Sequence, residues 1–218
     1  MSWLGATIYD RFTRRSEQAC LQNWRANLLA EVRGDVLEVG AGTGANMAHY
    51  PPAVERLVLV EPDRYMRRKL SNKLAASGRT NSADIIDRTL EKLDLPDESF
   101  DFVVATLVLC SVIDLDEALT EICRMIKPGG AFVFLEHVAA EARPGRLKWQ
   151  RRLQPVWKRV AGNCHLARNT ASAILEAGFV IEAVTREDIA ALAAELLDPD
   201  GFAVVVVGEP EGIDATSK

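Results

Sequence analysis

The sequence predicts an α/β fold in which helices cover both faces of a parallel sheet. Short apolar runs typical of buried strands recur along the chain, stretches with helical spacing of apolar residues separate them, and a glycine-rich turn follows the first run. With 218 residues, 48% of them hydrophobic, the chain can bury the core of one domain but hardly of two. We therefore expect one domain over residues 34–208, with residues 1–33 as helices belonging to it.

The elements are predicted in chain order from their apolar patterns. Strands are expected at 36–39, 57–60, 83–86, 102–105, 131–135, 179–185 and 202–207, and crossover helices at 63–76, 116–126 and 168–177. Lys127 to Gly130, with the sequence KPGG, should end the second of these helices. Residues 209–218 are expected to form a flexible tail.

Composition excludes several classes of protein. No uninterrupted apolar run reaches the roughly 18 residues that span a bilayer, and the first residues lack an apolar signal core, so we expect a cytoplasmic protein without a transmembrane segment. The four cysteines are Cys20, Cys110, Cys123 and Cys164, and their wide spacing favours reduced thiols over a metal site or a disulfide framework. The net charge of −5 and the lack of an aromatic RNA-binding motif argue against a nucleic-acid partner.

One segment departs from this acidic balance. Residues 143–159 carry seven Lys or Arg and no acidic residue, so the remainder of the chain is near −12. Apolar residues are interleaved with the charges, which predicts an amphipathic helix. Three interpretations stay open: a lid or cap over a substrate, spanning 143–167; peripheral contact of 143–159 with an anionic membrane; and an ordinary solvated helix.

The glycine-rich turn is the most informative motif. Residues 36–44 have the sequence VLEVGAGTG, in which Gly40, Gly42 and Gly44 allow a sharp turn and a close approach of the backbone to a ligand. The same glycines satisfy a loose dinucleotide-binding pattern. Glu38 discriminates between the two, because a carboxylate two positions before the first glycine suits a cationic ligand such as S-adenosylmethionine and would repel a diphosphate.

The E-x-G-x-G-x-G form of this turn resembles the first motif of the class I S-adenosylmethionine-dependent methyltransferases. The sequence L-P-x-x-S-F-D at 95–101 and the KPGG turn resemble later blocks of the same family. The resemblance implies a Rossmann-like, doubly wound sheet of seven strands, mostly parallel with an antiparallel last strand, and S-adenosylmethionine as cofactor. The cofactor-binding residues that we predict are Glu38, Gly40, Ala41, Gly42, Gly44, Asn46, Glu61, Pro62, Met66, Thr89, Leu90, Glu91, Thr106 and Leu107.

Several of these assignments also follow from position. Glu61 ends the second predicted strand, where open α/β sheets bind ligands, and its carboxylate can accept both ribose hydroxyl protons. Met66 lies one helical turn further on and either covers the adenine or packs in the core. The resemblance to the methyltransferases, rather than position, implies that Thr89 to Glu91 lie beside the adenine, and Thr106 and Leu107 beside the methionine moiety.

A narrower resemblance concerns the methyl acceptor. The stretches TLVLCSV at 106–112, KPGGAFVFLEHVAAE at 127–141 and GNCHLAR at 162–168 resemble the group that contains mammalian microsomal alkyl-thiol S-methyltransferases. Quinone-biosynthetic C-methyltransferases share the glycine loop and the S-F-D block. The residues predicted to contact the acceptor are Tyr9, Leu109, Cys110, Trp149, Cys164 and His165, and the candidate catalytic residues are His137 and Arg168.

The sequence thus predicts an enzyme that methylates a small molecule, with a thiol or sulfide as the preferred acceptor. Methyl transfer needs mainly alignment and exclusion of water, which agrees with the lack of clustered carboxylates, metal ligands or a Ser-His-Asp arrangement. The alternatives are O- or C-methylation of a phenol or quinone-type substrate and, without catalysis, a module that binds the cofactor. We expect a monomer or homodimer.

Overall fold

The computed structural model describes residues 21–137, 139, 144–160, 162–182 and 202–210. For residues 137, 146, 160, 181, 182 and 202–210 it describes the backbone alone. The predicted acceptor residue Tyr9, the tail 209–218 beyond position 210, and the loop 198–201 lie outside the described residues.

A mostly parallel sheet forms the centre of the fold. Its strands are β1 Gly34–Val39, β2 Val54–Val60, β3 Ala83–Ile86, β4 Phe100–Thr106, β5 Ile126–His137, β6 Phe179–Glu182 and β7 Phe202–Pro210, in the spatial order β3-β2-β1-β4-β5-β7-β6. The first five strands run parallel to one another, whereas β7 pairs antiparallel with both β5 and β6. The predicted α/β class with a mostly parallel sheet is confirmed.

Helices alternate with these strands. They are α1 Gln22–Leu29, α2 Arg64–Ser77, α3 Leu115–Met125, α4 Pro144–Val160 and α5 Thr170–Glu176, with a 3-10 turn at Leu90–Lys92. Local chemistry sets their starts: the Asp63 carboxylate accepts the backbone N–H groups of the first turn of α2, and Asp114 does the same for α3. Gly78, with φ of 76°, ends α2 in the left-handed conformation that favours glycine.

The KPGG prediction needs correction. Helix α3 ends at Met125, and Lys127 to Gly130 belong to strand β5 rather than to a separate turn. The register of β4 on β5 shifts here: Phe100 pairs with Ile126, whereas Phe102 pairs with Ala131. The extra residues are accommodated as a bulge, with Gly129 at φ of 80°.

Two apolar clusters cover the two faces of the sheet. Because successive residues of a strand point to opposite faces, Leu37 and Val39 join the cluster that contains α3, while Val36 joins the cluster that contains α1 and α2. Strands buried on both sides are typical of a parallel sheet between helices. Among the described residues, no helix has both the length and the apolar character needed to cross a bilayer.

Candidate active site

A cavity of about 320 Å³ opens at the carboxyl ends of β1, β2 and β4. This is the edge at which open α/β sheets bind their ligands, and the volume lies in the range typical of small-molecule sites. Its lining consists of Val39, Gly40, Gly42, Val60, Glu61, Pro62, Asp63, Met66, Arg88, Thr89, Leu90, Glu91, Thr106, Leu107, Val108, Ser111, Val112, Ile113 and Gly162. Five separate stretches of chain therefore build one site.

The glycine-rich turn contributes backbone to this cavity. Gly42 has φ of 57°, and a Cβ built on it would have only the Gly40 carbonyl oxygen near it, at 3.9 Å. Gly40 has φ of 63°, and its Cβ would lie 2.2 Å from Val108 Cγ2. Gly42 thus leaves room for a ligand, whereas Gly40 is needed for close packing of the turn on the segment after β4.

Glu61 connects the end of β2 to the glycine-rich turn. Its carboxylate accepts hydrogen bonds from the backbone N–H groups of Gly42 and Asp63, each at 2.8 Å. Burial raises the pKa of Glu61, while these N–H groups act in the opposite direction. Carboxylate oxygens have further lone pairs, so Glu61 can still accept hydroxyl protons from a ligand.

Glu38 lies beneath the turn, in a buried polar cluster. Its two carboxylate oxygens accept from Asn46 Nδ2 at 2.9 Å and from the Tyr50 hydroxyl at 2.7 Å. Arg25 of α1 donates to Asn46 Oδ1 at 2.8 Å and to Thr106 Oγ1 at 2.7 Å. We call Arg25, Glu38, Asn46, Tyr50 and Thr106 the buried polar cluster. Burial raises the pKa of Glu38 to about 7, against the opposing effect of the Tyr50 hydrogen bond.

Glu38, which is predicted to contact the cofactor, lies below the cavity rather than in its lining. The Glu38 side chain is 1% exposed and does not line the cavity. Asn46, at 0% exposure, also lies below the turn. Of the buried polar cluster, Thr106 alone lines the cavity.

Side chains from other parts of the chain hold the segment 107–112, which follows β4, in place. Leu107 has φ of 57°, unusual for a residue with a side chain, and it begins a tight turn. The Glu136 carboxylate, fully buried at the end of β5, accepts from the backbone N–H groups of Val108 at 2.6 Å and Leu109 at 2.7 Å. Arg168 Nη1 donates to the Leu109 carbonyl at 2.6 Å and to the Val112 carbonyl at 3.0 Å. These contacts fix the backbone that borders the cavity.

Most of the predicted cofactor residues come together in the lining. The predicted residues that line the cavity are Gly40, Gly42, Glu61, Pro62, Met66, Thr89, Leu90, Glu91, Thr106 and Leu107, and those that do not are Glu38, Ala41, Gly44 and Asn46. Ala41 and Gly44 belong to the same turn, where Gly44 N–H donates to the Ala41 carbonyl at 2.8 Å. They shape the turn rather than its ligand-facing side.

The predicted acceptor residues are dispersed. Leu109 and Cys110 are 0% and 2% exposed and lie behind the lining, and Cys164 is 8% exposed. Interaction with Cys164, together with burial, raises the pKa of Cys110 far above that of a reactive thiol, so Cys110 is a packing residue. Trp149 is 62% exposed on α4 and does not line the cavity.

The structure describes the candidate catalytic residue Arg168 and the acceptor candidate His165 with their side chains, but His137 by its backbone alone. The Arg168 guanidinium is engaged with the backbone of segment 107–112, which makes it a positioning residue in this geometry. Burial, with Arg168 and Lys158 nearby, lowers the pKa of His165, which disfavours the charged imidazolium form. His137 ends β5, and its side chain lies outside the described part of the chain.

Sequence reasoning did not assign several residues that line the cavity: Asp63, Arg88, Val108, Ser111, Val112, Ile113 and Gly162. Asp63 directly follows the assigned Glu61 and Pro62, and Val108 follows Leu107. Both could have been predicted from these neighbours in the sequence. Nothing in the sequence indicated the role of Arg25, because its partners Asn46 and Thr106 are 21 and 81 positions away.

S-adenosylmethionine fits this lining. The carboxylates of Glu61, Asp63 and Glu91 suit a cation and hydroxyl donors, and the apolar surface of Met66 and Leu90 suits a purine face. The room beside Gly42 admits a ligand against the backbone. The fold and this lining therefore suit the cofactor that the glycine-rich turn predicts.

Comparison with known proteins finds a family model and several relatives that match part of the chain. The family model described as "Methyltransferase domain" matches residues 37–134. The chain is 39% identical over 145 residues to the thiol S-methyltransferase TMT1A of Homo sapiens, an alignment that covers 66% of this chain and 59% of that protein. The chain thus spans about three fifths of the length of this relative.

Two further proteins are similar at greater distance. The ubiquinone/menaquinone biosynthesis C-methyltransferase UbiE of Geobacter sulfurreducens is 29% identical over 145 residues, which cover 63% of this chain and 57% of that protein. The crystal structure of an S-adenosylmethionine-dependent methyltransferase from Mesorhizobium loti superposes with a TM-score of 0.61 at 25% identity, covering 85% of this chain and 95% of that chain.

Proposed function

We propose that this chain transfers the methyl group of S-adenosylmethionine to a thiol or sulfide. The observation that carries the choice of acceptor is the 39% identity to a thiol S-methyltransferase, which extends over 145 residues. The composition of the cavity supports it, because its charged residues come from the end of β2 and from the stretch 88–91. Segment 107–112 and Ile113 contribute mainly apolar side chains.

The lining suggests how the cofactor would be held. Glu61 would accept the ribose hydroxyl protons, and Met66 with Leu90 would enclose the adenine. Gly42 would bring its backbone against the amino-acid end, beside Thr106. Bound in this way, the cofactor supplies an electrophilic methyl carbon on a positively charged sulfur.

The protein's part in the reaction is to align the acceptor and exclude water. A thiol with an ordinary pKa near 8.5 supplies some thiolate at neutral pH, so no strong base is required. The thiolate sulfur would form the new C–S bond with the methyl carbon. The old bond would break with its electron pair left on the sulfonium sulfur, which would give a methyl thioether and S-adenosylhomocysteine.

His137 stays a candidate base for this step, because it lies where β5 ends next to the segment after β4. Turnover of a His137→Ala variant across pH tests the assignment: loss of the low-pH limb would support a base, and an unchanged profile would remove the role. The cytoplasm suits the proposed chemistry, and Cys110, Cys123 and Cys164 are in the reduced form, outside any disulfide.

The decisive assay measures S-adenosylhomocysteine released in the presence of sulfide and of simple alkyl thiols, with phenols and quinols in parallel. Release that depends on a thiol or sulfide is the expected result. Release with phenols or quinols alone would overturn the choice of acceptor while leaving the cofactor site in place. Failure of S-adenosylhomocysteine to bind in calorimetry would overturn the proposed function as a whole.

A further inference from the structure

Helix α4 presents an apolar stripe to the solvent. Trp149, Leu153 and Val156 are 62%, 51% and 63% exposed. Their spacing of four and three residues aligns them along one side of the helix. Exposed large apolar side chains that form a contiguous row, rather than standing singly, mark an interaction surface.

Positive charge runs beside this stripe. Lys148, Arg152 and Arg159 are spaced by four and seven residues, so they line the neighbouring side of α4. A hollow of about 420 Å³ lies against the helix and is lined by Pro144, Leu147, Lys148, Arg151 and Arg152. No acidic residue occurs within residues 143–159, although the chain as a whole is acidic.

We propose that α4 docks on an anionic membrane surface. The stripe would enter the boundary between headgroups and acyl chains, and the basic row, with its hollow, would meet the lipid phosphates. Charge complementarity selects an anionic partner, because the segment is basic on an acidic protein. The apolar stripe selects lipid over nucleic acid, since Leu153 and Val156 gain nothing against a phosphate backbone and gain much in hydrocarbon.

The carboxyl-terminal end of α4 leads into the cavity lining. Just after α4, Gly162 lines the cavity, and Asn163 Nδ2 donates to the Ser111 carbonyl at 2.8 Å. Ile113 lines the cavity and is 83% exposed. Docking would therefore bring the cavity mouth close to the lipid surface. A consequence that rests on the proposed function is that apolar thiols dissolved in the bilayer would reach the site directly.

Sedimentation with vesicles tests the docking without any turnover. The full chain is mixed with vesicles of phosphatidylcholine alone or of phosphatidylcholine with about 30% phosphatidylserine. We expect binding to the anionic vesicles, much weaker binding to the neutral ones, and a loss of binding when the salt is raised to about 0.5 M. Equal binding to both vesicles, or to neither, would overturn the proposal.

Variants identify the helix. Combining Trp149→Ser, Leu153→Ser and Val156→Ser should weaken binding to anionic vesicles by about tenfold or more. The matched control is Leu175→Ser with Val180→Ser, which changes residues that are 54% and 39% exposed elsewhere. Circular dichroism and the affinity for S-adenosylhomocysteine show whether each variant is folded. A triple variant that is folded and sediments like the control would overturn the assignment to α4.

Charge reversal separates lipid from nucleic acid. Lys148→Glu with Arg152→Glu should weaken vesicle binding by about 30-fold, whereas the exposed Arg33→Glu with Arg68→Glu should change it little. A short RNA is the competing probe. If the chain binds the RNA as tightly as the anionic vesicles, and the apolar triple variant does not change the vesicle affinity, the basic row is a nucleic-acid surface and the proposal fails.

Discussion

At the scale of single residues, Gly40 and Gly42 of the turn after β1 have different roles. Gly42 has space on its ligand side, whereas the space beside Gly40 is filled by Val108. Both have positive φ, so either residue is strained by a side chain. The cavity distinguishes them, because a side chain at 42 alone would occupy the room left for a ligand.

Replacing Gly42 with Val should therefore abolish binding of S-adenosylhomocysteine while the protein still folds. Calorimetry measures the affinity, and circular dichroism measures the fold. Gly78→Val is the control, because Gly78 has a similar φ of 76° at the end of α2, outside the cavity lining, and a Cβ at this position would meet nothing within 4 Å. Both variants should lose about 1–3 kcal/mol of stability. Wild-type affinity in a folded Gly42→Val variant would contradict the placement of the ligand.

The buried carboxyl of Glu38 should make stability depend on pH. Its pKa is raised from 4.5 to about 7 in the folded protein. Between pH 4.5 and pH 7, the folded state therefore keeps a proton on Glu38, whereas the unfolded chain has released it. The contribution is fully present below about pH 4.5 and is lost as the pH rises through 7. Arg25, Tyr50, Asn46 and Glu61 are the groups that act on it.

Glu38→Gln should reduce this dependence. We expect the stability of the wild type, relative to the variant, to fall by at most about 3 kcal/mol between pH 5 and pH 8, as measured by urea unfolding. The exposed Glu55→Gln serves as control and should follow the wild type. A constant difference between wild type and Glu38→Gln across this range would show that Glu38 ionises normally.

At the scale of elements, the segment after β4 depends on residues from two other places in the chain. Glu136 at the end of β5 binds its N–H groups, and Arg168, which precedes α5, binds its carbonyls. Opposite charges thus hold the donors and the acceptors of one short turn. This arrangement gives Arg168 a positioning role. The sequence had suggested a catalytic role for the same residue instead.

Arg168→Met should lower stability by about 2–3 kcal/mol, because two hydrogen bonds from a charged donor are lost. The KM for the acceptor should rise, whereas the pH profile of turnover should keep its shape. Arg124→Met is the control, since Arg124 also donates to a backbone carbonyl, that of Leu95 at 2.7 Å, and also pairs with Glu121. A shift of the pH profile confined to Arg168→Met would restore the catalytic role.

The sequence predicted elements better than contacts. The apolar runs located the central strands, since burial on both faces leaves a pattern within a few neighbouring residues. The buried polar cluster around Glu38 could not be predicted in the same way. Its members come from α1, from β1 and the residues after it, and from the end of β4, and their meeting depends on the completed sheet. The bulge at KPGG was missed because a Pro-Gly-Gly sequence is typical of a turn as well.

At the scale of the whole molecule, the cavity exists only when the fold is complete. Its lining comes from the ends of β1, β2 and β4, from the stretch 88–91 and from Gly162. The unfolded chain brings none of these together. A ligand of this cavity therefore binds the folded state alone and stabilises it by mass action.

S-adenosylhomocysteine at a hundred times its Kd should raise the free energy of unfolding by about 2.7 kcal/mol. Thermal and urea unfolding with and without the ligand measure the effect. Gly42→Val is expected to show no increase, and Gly78→Val should show the full increase. An increase in Gly42→Val equal to that of the wild type would mean that the ligand binds elsewhere.

The close approach of Gly40 to Val108 has a consequence for how this sequence can change over time. A methyl group at position 40 would lie 2.2 Å from the Val108 side chain. A larger residue at 40 can therefore be accepted only after a smaller residue has replaced Val108. In the reverse order, an intermediate protein would carry the larger residue at 40 together with Val108, and its turn could not close. A smaller residue at 108 would remove this clash, although the φ of 63° would still strain any side chain at 40. The two positions should thus be found to vary together, with the change at 108 the older one.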